Sequence, residues 1–278
     1  MANGAALMDG PTLEQYPNWA SENIGFNPVD VQFRRRYTQN TTTLRTIVEQ
    51  SDHWNSAQAV FSKLADAYNE ANGVALFTSG EARQPSLHIK PIDSVVEKTY
   101  RANILNNRNF PKPPTLDGIE GWVTEENLFA RMHDLIRCRL VCRYMDGPQY
   151  ICEASKAELG GDVVSGVHSM ETELGYYAWH LGLRVPAQVV RPNGVVEDEA
   201  LTVEIQITTH LNDVLNDLTH LFYEGRRIAA RAPDSLWKWQ PDNAQFKGAY
   251  FGHTLHLLEG MIVELKNEIK RGSDTTHE

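Results

Sequence analysis

The chain has 278 residues, with 26 Lys and Arg against 36 Asp and Glu, a net charge of −10; at 41% hydrophobic and 22% charged it has the composition of a soluble globular protein long enough to bury a sizeable core. The acidic balance excludes broad, sequence-independent binding to a nucleic-acid backbone, which needs a net basic face. No stretch is long enough to cross a bilayer, and no charged region followed by an apolar run opens the sequence, so a cytoplasmic protein is expected.

Residues 1–28 read as an irregular arm, with Pro11, Pro17 and Pro28 interrupting any period. Over residues 29–75 the apolar positions Phe33, Leu44, Ile47, Val48, Trp54, Val60, Phe61, Leu64 and Tyr68 recur at helical spacing. This pattern predicts two or three helices, with Ser51 and Asp52 as turn or cap. Residues 90–106 carry a further helical pattern through Ile92, Val95, Val96, Tyr100 and Ile104, and the run Pro111-Lys112-Pro113-Pro114 then forces a loop. Beyond Asp134 the period becomes two. Cys138, Leu140 and Cys142 alternate with Arg137, Arg139, Val141 and Arg143, predicting a strand. Residues 164–170, 176–185 and 201–208 read as further strands, and 149–159, 212–231 and 243–270 as helices, with 272–278 as a loose tail. Cys138, Cys142 and Cys152, an odd number without a Cys-x-x-Cys pair, read as reduced, mostly buried thiols.

The pattern predicts an α+β fold, a mixed β-sheet flanked by helices. No linker cuts it into independent domains: residues 1–80 supply an arm and helices packed on the core, 81–230 the core, and 231–278 a helical extension and tail. The apolar stripe of Phe246, Tyr250, Leu257, Met261, Ile262 and Leu265 reads as core, and its length would also accommodate a contact in a homo-oligomer.

Three constellations carry chemistry. On the strand around Val203, the residues Glu204, Gln206 and Thr208 face opposite to Val203, Ile205 and Ile207. A surface strand gives the same alternation, but a second acid, Asp134, precedes a neighbouring strand, and two carboxylates can hold Mg²⁺ while phosphate oxygens and water complete its shell. Lys90, Ser94, Lys98 and Arg101, after His88, can share one helix face or its approach, and Arg131, Arg137 and Arg139 add positive charge near Asp134. A solvated, salt-bridged helix face would look the same. A cation cluster beside paired carboxylates is nevertheless what a triphosphate with Mg²⁺ requires. In Gly175-Tyr176-Tyr177-Ala178-Trp179-His180, Tyr176, Ala178 and His180 share a strand face, which leaves Tyr176 free to stack on a base or to pack in the core. His133-Asp134 lacks the further metal ligands of an HD-type phosphohydrolase, and His253 and His256, three apart, lack a third ligand.

In this order, His88 to Arg101, Asp134 to Arg139, Gly175 to His180 and Glu204 to Ile207, with His220 and Tyr223 following, resemble the synthetase domain of the RelA/SpoT family, the small-alarmone pyrophosphokinases. The resemblance spans roughly residues 85–225, and residues 237–262 are similar to a C-terminal helical extension of some members. It implies a nucleotidyltransferase-like fold and Mg²⁺-dependent transfer of pyrophosphate from ATP to the 3′-hydroxyl of a nucleotide, GTP or GDP by family. His88, Lys90, Ser94, Lys98, Arg101 and Arg139 would bind ATP, and Asp134 and Glu204 the metal. Glu204 would also act as base, with Tyr176, His180 and Gln206 on the acceptor. His88 stands where the family has arginine, Arg137 where it has glycine, Leu174 where it has a polar residue and Thr208 where it has arginine, and the usual basic acceptor loop reads Ser169-Met170-Glu171-Thr172-Glu173. The donor half is kept and the acceptor half altered. Relatives that make adenine alarmones or pyrophosphorylate tRNA 3′ ends are therefore the alternative, with a protein antitoxin or regulator as partner, and a nucleotide-binding regulator without activity is the other.

Overall fold

The computed structural model describes residues 10–79, 84–227 and 235–274, with backbone alone at 219–227, 235, 273 and 274. In chain order these form α1 (Tyr16–Ile24), α2 (Val31–Gln50), α3 (Asp52–Asn72), β1 (His88–Ile89), α4 (Ile92–Tyr100), β2 (Thr115–Leu116), β3 (Ile119–Glu120), α5 (Leu128–Arg131), β4 (Ile136–Cys142), α6 (Asp146–Leu159), β5 (Val164–Glu171), β6 (Tyr177–Val190), β7 (Val196–Thr209), α7 (His210–Arg227) and α8 (Ala244–Asp274). The main sheet has the order β1-β4-β7-β6-β5, with β4 parallel to β7 and β5 antiparallel to β6. This is the expected α+β class, a mixed sheet flanked by helices. Among the described residues no helix is long and apolar enough to cross a membrane.

The chain divides into two compact units that interleave in sequence: Met1–Ile47, Ile89–Leu135 and Pro186–Leu201 in one, Val48–His88, Ile136–Val185 and Thr202–Glu278 in the other. In the first, Tyr16 and Ala20 of α1 bury against Tyr100 and Ile104, and Tyr16 meets Tyr100 edge-on with ring centroids 5.5 Å apart. The expected irregular arm is thus corrected. Pro17 starts a helix, because the first helical turn needs neither its missing N–H nor any φ other than the one its ring imposes. In the second unit α3 is capped as expected, Ser51 Oγ accepting from Trp54 N–H, and buries Phe61, Leu64 and Tyr68 on one stripe. Cys138, Cys142 and Cys152 are buried free thiols.

The sequence pattern missed β1 and the β2–β3 hairpin, although Asp117-Gly118 is its turn, with φ of 51° and 78°. It also cut β6 and β7 short. Residues 196–200 are too acidic to look like a strand, but Arg191 pairs with Glu197 and Glu199 at 2.8 Å each and Gln188 with Asp198 at 3.0 Å. The predicted tail begins late, since α8 continues through Gly272 to Asp274; the end of the helix expected at Arg231 lies outside the described residues, as do the side chains of His220 and Tyr223.

The stripe on α8 is a further correction. Leu257 is 66% exposed and Met261 58%, and Tyr250, Ile262 and Leu265 are exposed as well. The helix buries the other face, made of Ala249, Gly252, Glu259 and Lys266. Gly175, at φ +77°, and Gly252 lie so close that a Cβ on Gly175 would meet Ala249 O at 2.5 Å and Gly252 Cα at 3.0 Å. Small and polar residues make the contact, so hydrophobic periodicity pointed at the wrong face.

Candidate functional site

In the first unit Asp134 is the centre. Lys90, buried, reaches its Oδ2 at 3.0 Å, and Lys98, one helical turn after Ser94 on α4, reaches Oδ1 at 2.5 Å. The backbone fixes Lys90 on both sides: its N–H donates to Leu135 O at 2.9 Å, and its carbonyl accepts from Tyr37 Oη at 2.6 Å. Burial pushes the Asp134 carboxyl up, yet the Lys98 and Lys90 cations outweigh it and hold the group at about 2, so it is ionised at neutral pH. Arg101, at the C-terminal cap of α4, pairs with Glu97 at 3.2 Å. Arg131, expected to add charge around Asp134, instead donates to Gly121 O at 2.9 Å and Ile119 O at 2.7 Å, closing the β2–β3 hairpin.

In the second unit one face of the sheet gathers the rest. Partners across a ladder share a face, so the register sets Arg137 beside Glu204 and Arg139 beside Gln206. Glu204 Oε1 accepts from Gln206 Nε2 at 2.6 Å and Oε2 lies 3.4 Å from His180 Nδ1; Tyr176 Oη is 3.3 Å from His180 Nε2. Tyr176, His180, Glu204 and Gln206 thus form one connected arc. Arg139 Nη1 is held by Asp213 at 2.5 Å and Asp217 at 3.3 Å on α7. His88 is exposed on the edge strand β1. Thr208, in the place of the family's arginine, donates to Tyr177 O at 3.0 Å and serves the backbone.

Sequence reasoning passed over His168. It pairs with His180 across β5 and β6, ring centroids 5.4 Å apart; partial desolvation and the neighbouring His180 lower its basicity, against a smaller opposing pull from Glu204. The alternation Gly166, His168, Met170 held the signal, but only the strand pairing puts it beside His180. His253 and His256 turn out to serve Tyr177: His253 Nδ1 meets its Oη at 2.8 Å, and His256 stacks on its ring at 3.6 Å. Among the described residues no cluster of three or more His, Cys, Asp or Glu could hold a metal ion.

No protein-family model matches the sequence, and no curated protein matches it. Solved structures do. The small alarmone synthetase 1 of Bacillus subtilis, bound to its product pppGpp, is 18% identical and superposes with a TM-score of 0.53, covering 87% of this chain and 100% of its own. A GTP pyrophosphokinase family protein of Streptococcus pneumoniae is 17% identical over 87% of this chain and 94% of its own, at a TM-score of 0.48. The first likeness shows that the chain has the small-alarmone-synthetase fold expected from the resemblance.

Proposed function

We propose that the chain is a nucleotide pyrophosphokinase that moves pyrophosphate from ATP to the 3′-hydroxyl of a nucleotide, releasing AMP. The observation that carries this reading is the arc Tyr176–His180–Glu204–Gln206, a carboxylate held by Gln206 on one oxygen and 3.4 Å from the His180 ring on the other, beside an aromatic ring, on a sheet of the small-alarmone-synthetase fold. In this reading Glu204 takes the proton of the attacking hydroxyl, with Gln206 and His180 holding its carboxylate in place. Tyr176 stacks on the acceptor base, its hydroxyl tied to His180.

Lys90, Ser94, Lys98, Arg101, Arg139 and His88 are assigned to ATP. Lys98 and Arg139 trade carboxylate for phosphate when ATP binds: Lys98 leaves Asp134 Oδ1, and Arg139 leaves Asp213 and Asp217. Lys98 is the mobile partner of Asp134, because its side chain is 33% exposed against 8% for Lys90. The donor chemistry suits Mg²⁺, for Asp134 and Glu204 offer hard carboxylate oxygens and Asp134 is ionised at neutral pH. These two would hold the ion, which when bound neutralises charge gathering on the transferred phosphates.

The acceptor is the open half. Glu171, at the end of β5, and Glu173, on the turn before Tyr176, are exposed, and Glu173 meets Lys238 at 2.9 Å. Acidic groups there weigh against the 5′-polyphosphate of GTP or GDP, so the second reading is another acceptor, an adenine nucleotide or a tRNA 3′ end, although the same charge also opposes tRNA. The test is to incubate protein, labelled ATP and Mg²⁺ with GTP, GDP, no second nucleotide, or tRNA, and to follow AMP release and labelled product. One acceptor is expected to be labelled, chelation to stop it, and Glu204→Gln to abolish transfer with ATP affinity within about twofold. ATP binding without transfer to any acceptor would make the chain a nucleotide-binding regulator, and full activity in Glu204→Gln would remove its role as base.

A further inference from the structure

The turn that carries Tyr176 into the arc, residues 172–176 between β5 and β6, closes on Thr172, whose carbonyl accepts from Gly175 N–H at 3.0 Å and whose N–H donates to Tyr176 O at 3.1 Å. On the side of the arc, Tyr176 Oη lies 3.3 Å from His180 Nε2. Residues of a strand alternate, so Tyr177 does not share the face of His180. It turns instead to α8, where His253 touches the hairpin twice: Nδ1 is 2.8 Å from Tyr177 Oη and Nε2 is 3.2 Å from Glu173 O. These contacts all lie within the second unit.

Both contacts suit one neutral ring. A carbonyl only accepts, so Nε2 carries the hydrogen donated to Glu173 O, and Nδ1 is left to accept from the Tyr177 hydroxyl. The turn meets the C-terminal segment in two other ways, and each holds it less firmly. In the Lys238–Glu173 ion pair the Glu173 side chain is 77% exposed, and pairs so open to water contribute little. Gly175 rests against Ala249 and Gly252 through backbone atoms, a contact that limits approach but has no preferred direction. A hydrogen bond depends on angle as well as distance. His253 makes two of them at points that bracket Tyr176, the carbonyl three residues before it and the hydroxyl of the residue after it. Together they fix how the turn sits on α8, and with it where the chain delivers the Tyr176 ring.

We propose that His253 is a positioning residue for the acceptor: by holding the Glu173 carbonyl and the Tyr177 hydroxyl, it sets where Tyr176 stands over the acceptor base. The proposal rests on the pyrophosphate-transfer reading, in which Tyr176 stacks on that base. The test is steady-state kinetics of the full-length protein, with ATP and the acceptor that becomes labelled varied separately. His253→Phe keeps a ring beside Tyr177 and removes both hydrogen bonds. The KM for the acceptor is expected to rise roughly tenfold, with kcat and the KM for ATP within about twofold, as for a loss of binding shared by ground and transition states. His253→Gln supplies one donor and one acceptor, as the neutral ring does, and should bring the acceptor KM back to within about threefold of the native value. Tyr177→Phe removes the Nδ1 contact alone and should raise the acceptor KM about threefold; should His253→Phe fail to fold, this variant carries the test. An unchanged acceptor KM in His253→Phe or in Tyr177→Phe overturns the proposal. So does a rise in the KM for ATP equal to that for the acceptor, or a rise that His253→Gln does not reverse, since either would make His253 a packing residue only. These outcomes arise in a protein that transfers pyrophosphate; native protein that labels no acceptor fails the pyrophosphokinase reading itself, and the proposal with it.

Discussion

Replacing Asp134 with asparagine isolates the ionic part of the first unit's cluster. Burial favours the protonated carboxyl, but Lys98 and Lys90 hold it at about 2 against an ordinary 3.8. A group that ionises at lower pH in the fold than in the unfolded chain stabilises the fold above its unfolded value, and that stability is lost as pH falls through the folded one. The gap, at about 1.36 kcal/mol per pH unit, amounts to about 2 kcal/mol at neutral pH, of which about half is gone by pH 3. The variant forfeits this contribution and also leaves buried Lys90 without its carboxylate, so the total loss at pH 7 is roughly 3–5 kcal/mol. Urea unfolding of both proteins at pH 7, 4 and 3 gives the difference at each pH. It should narrow by about 1 kcal/mol from pH 7 to pH 3, because the native protein loses its ionic advantage and the variant has none to lose. A difference that stays constant with pH refutes the assignment of Asp134 as a strongly stabilised carboxylate.

Three further outcomes follow from the packing. Gly252→Ala places a Cβ against the Gly175 backbone and should cost about 1–3 kcal/mol in thermal unfolding while raising the KM for the acceptor through Tyr176; an unchanged melting temperature would contradict that close approach. Asp146→Ala strips the carboxylate 2.5 Å from Lys266 Nζ, a side chain only 9% exposed that also touches Tyr68 Oη, and should cost about 3–5 kcal/mol by chemical denaturation; a loss below about 1 kcal/mol would mean that the lysine finds water. The three thiols should resist alkylation at pH 8 until the chain unfolds, since burial pushes Cys138 and Cys142 well up and Cys152 to about 12; rapid labelling of the native protein, read by mass spectrometry, would show them accessible.

Much of the architecture was legible because its signal is local. The alternation around Cys138 and Ile205, the helical stripe of Phe61, Leu64 and Tyr68, and the Ser51 cap each depend on residues a few positions apart. The carboxylates and cations were nameable for the same reason, as short ordered motifs. What failed needed distant partners. The arm hid α1, whose aromatic face finds its cover some 80 residues later in Tyr100 and Ile104, and the acidic stretch of β7 is a strand only because Arg191 and Gln188 lie opposite. On α8 the pattern chose the exposed stripe, because the face that packs is built from glycine, alanine, a buried glutamate and a lysine, none of which a hydrophobic period can count.

By itself the sequence determined which residue types stand on which elements, since periodicity and caps are properties of neighbouring positions. Only tertiary structure decided what each charge does: that Lys90 and Lys98 converge on Asp134, that Arg139 turns to Asp213 and Asp217, that His168 joins His180, and that His253 and His256 serve Tyr177. The physical reason is that a charge or an imidazole takes its role from what lies within about 4 Å of it, and strand register and helix packing, which bring distant segments to that distance, are not written in local spacing.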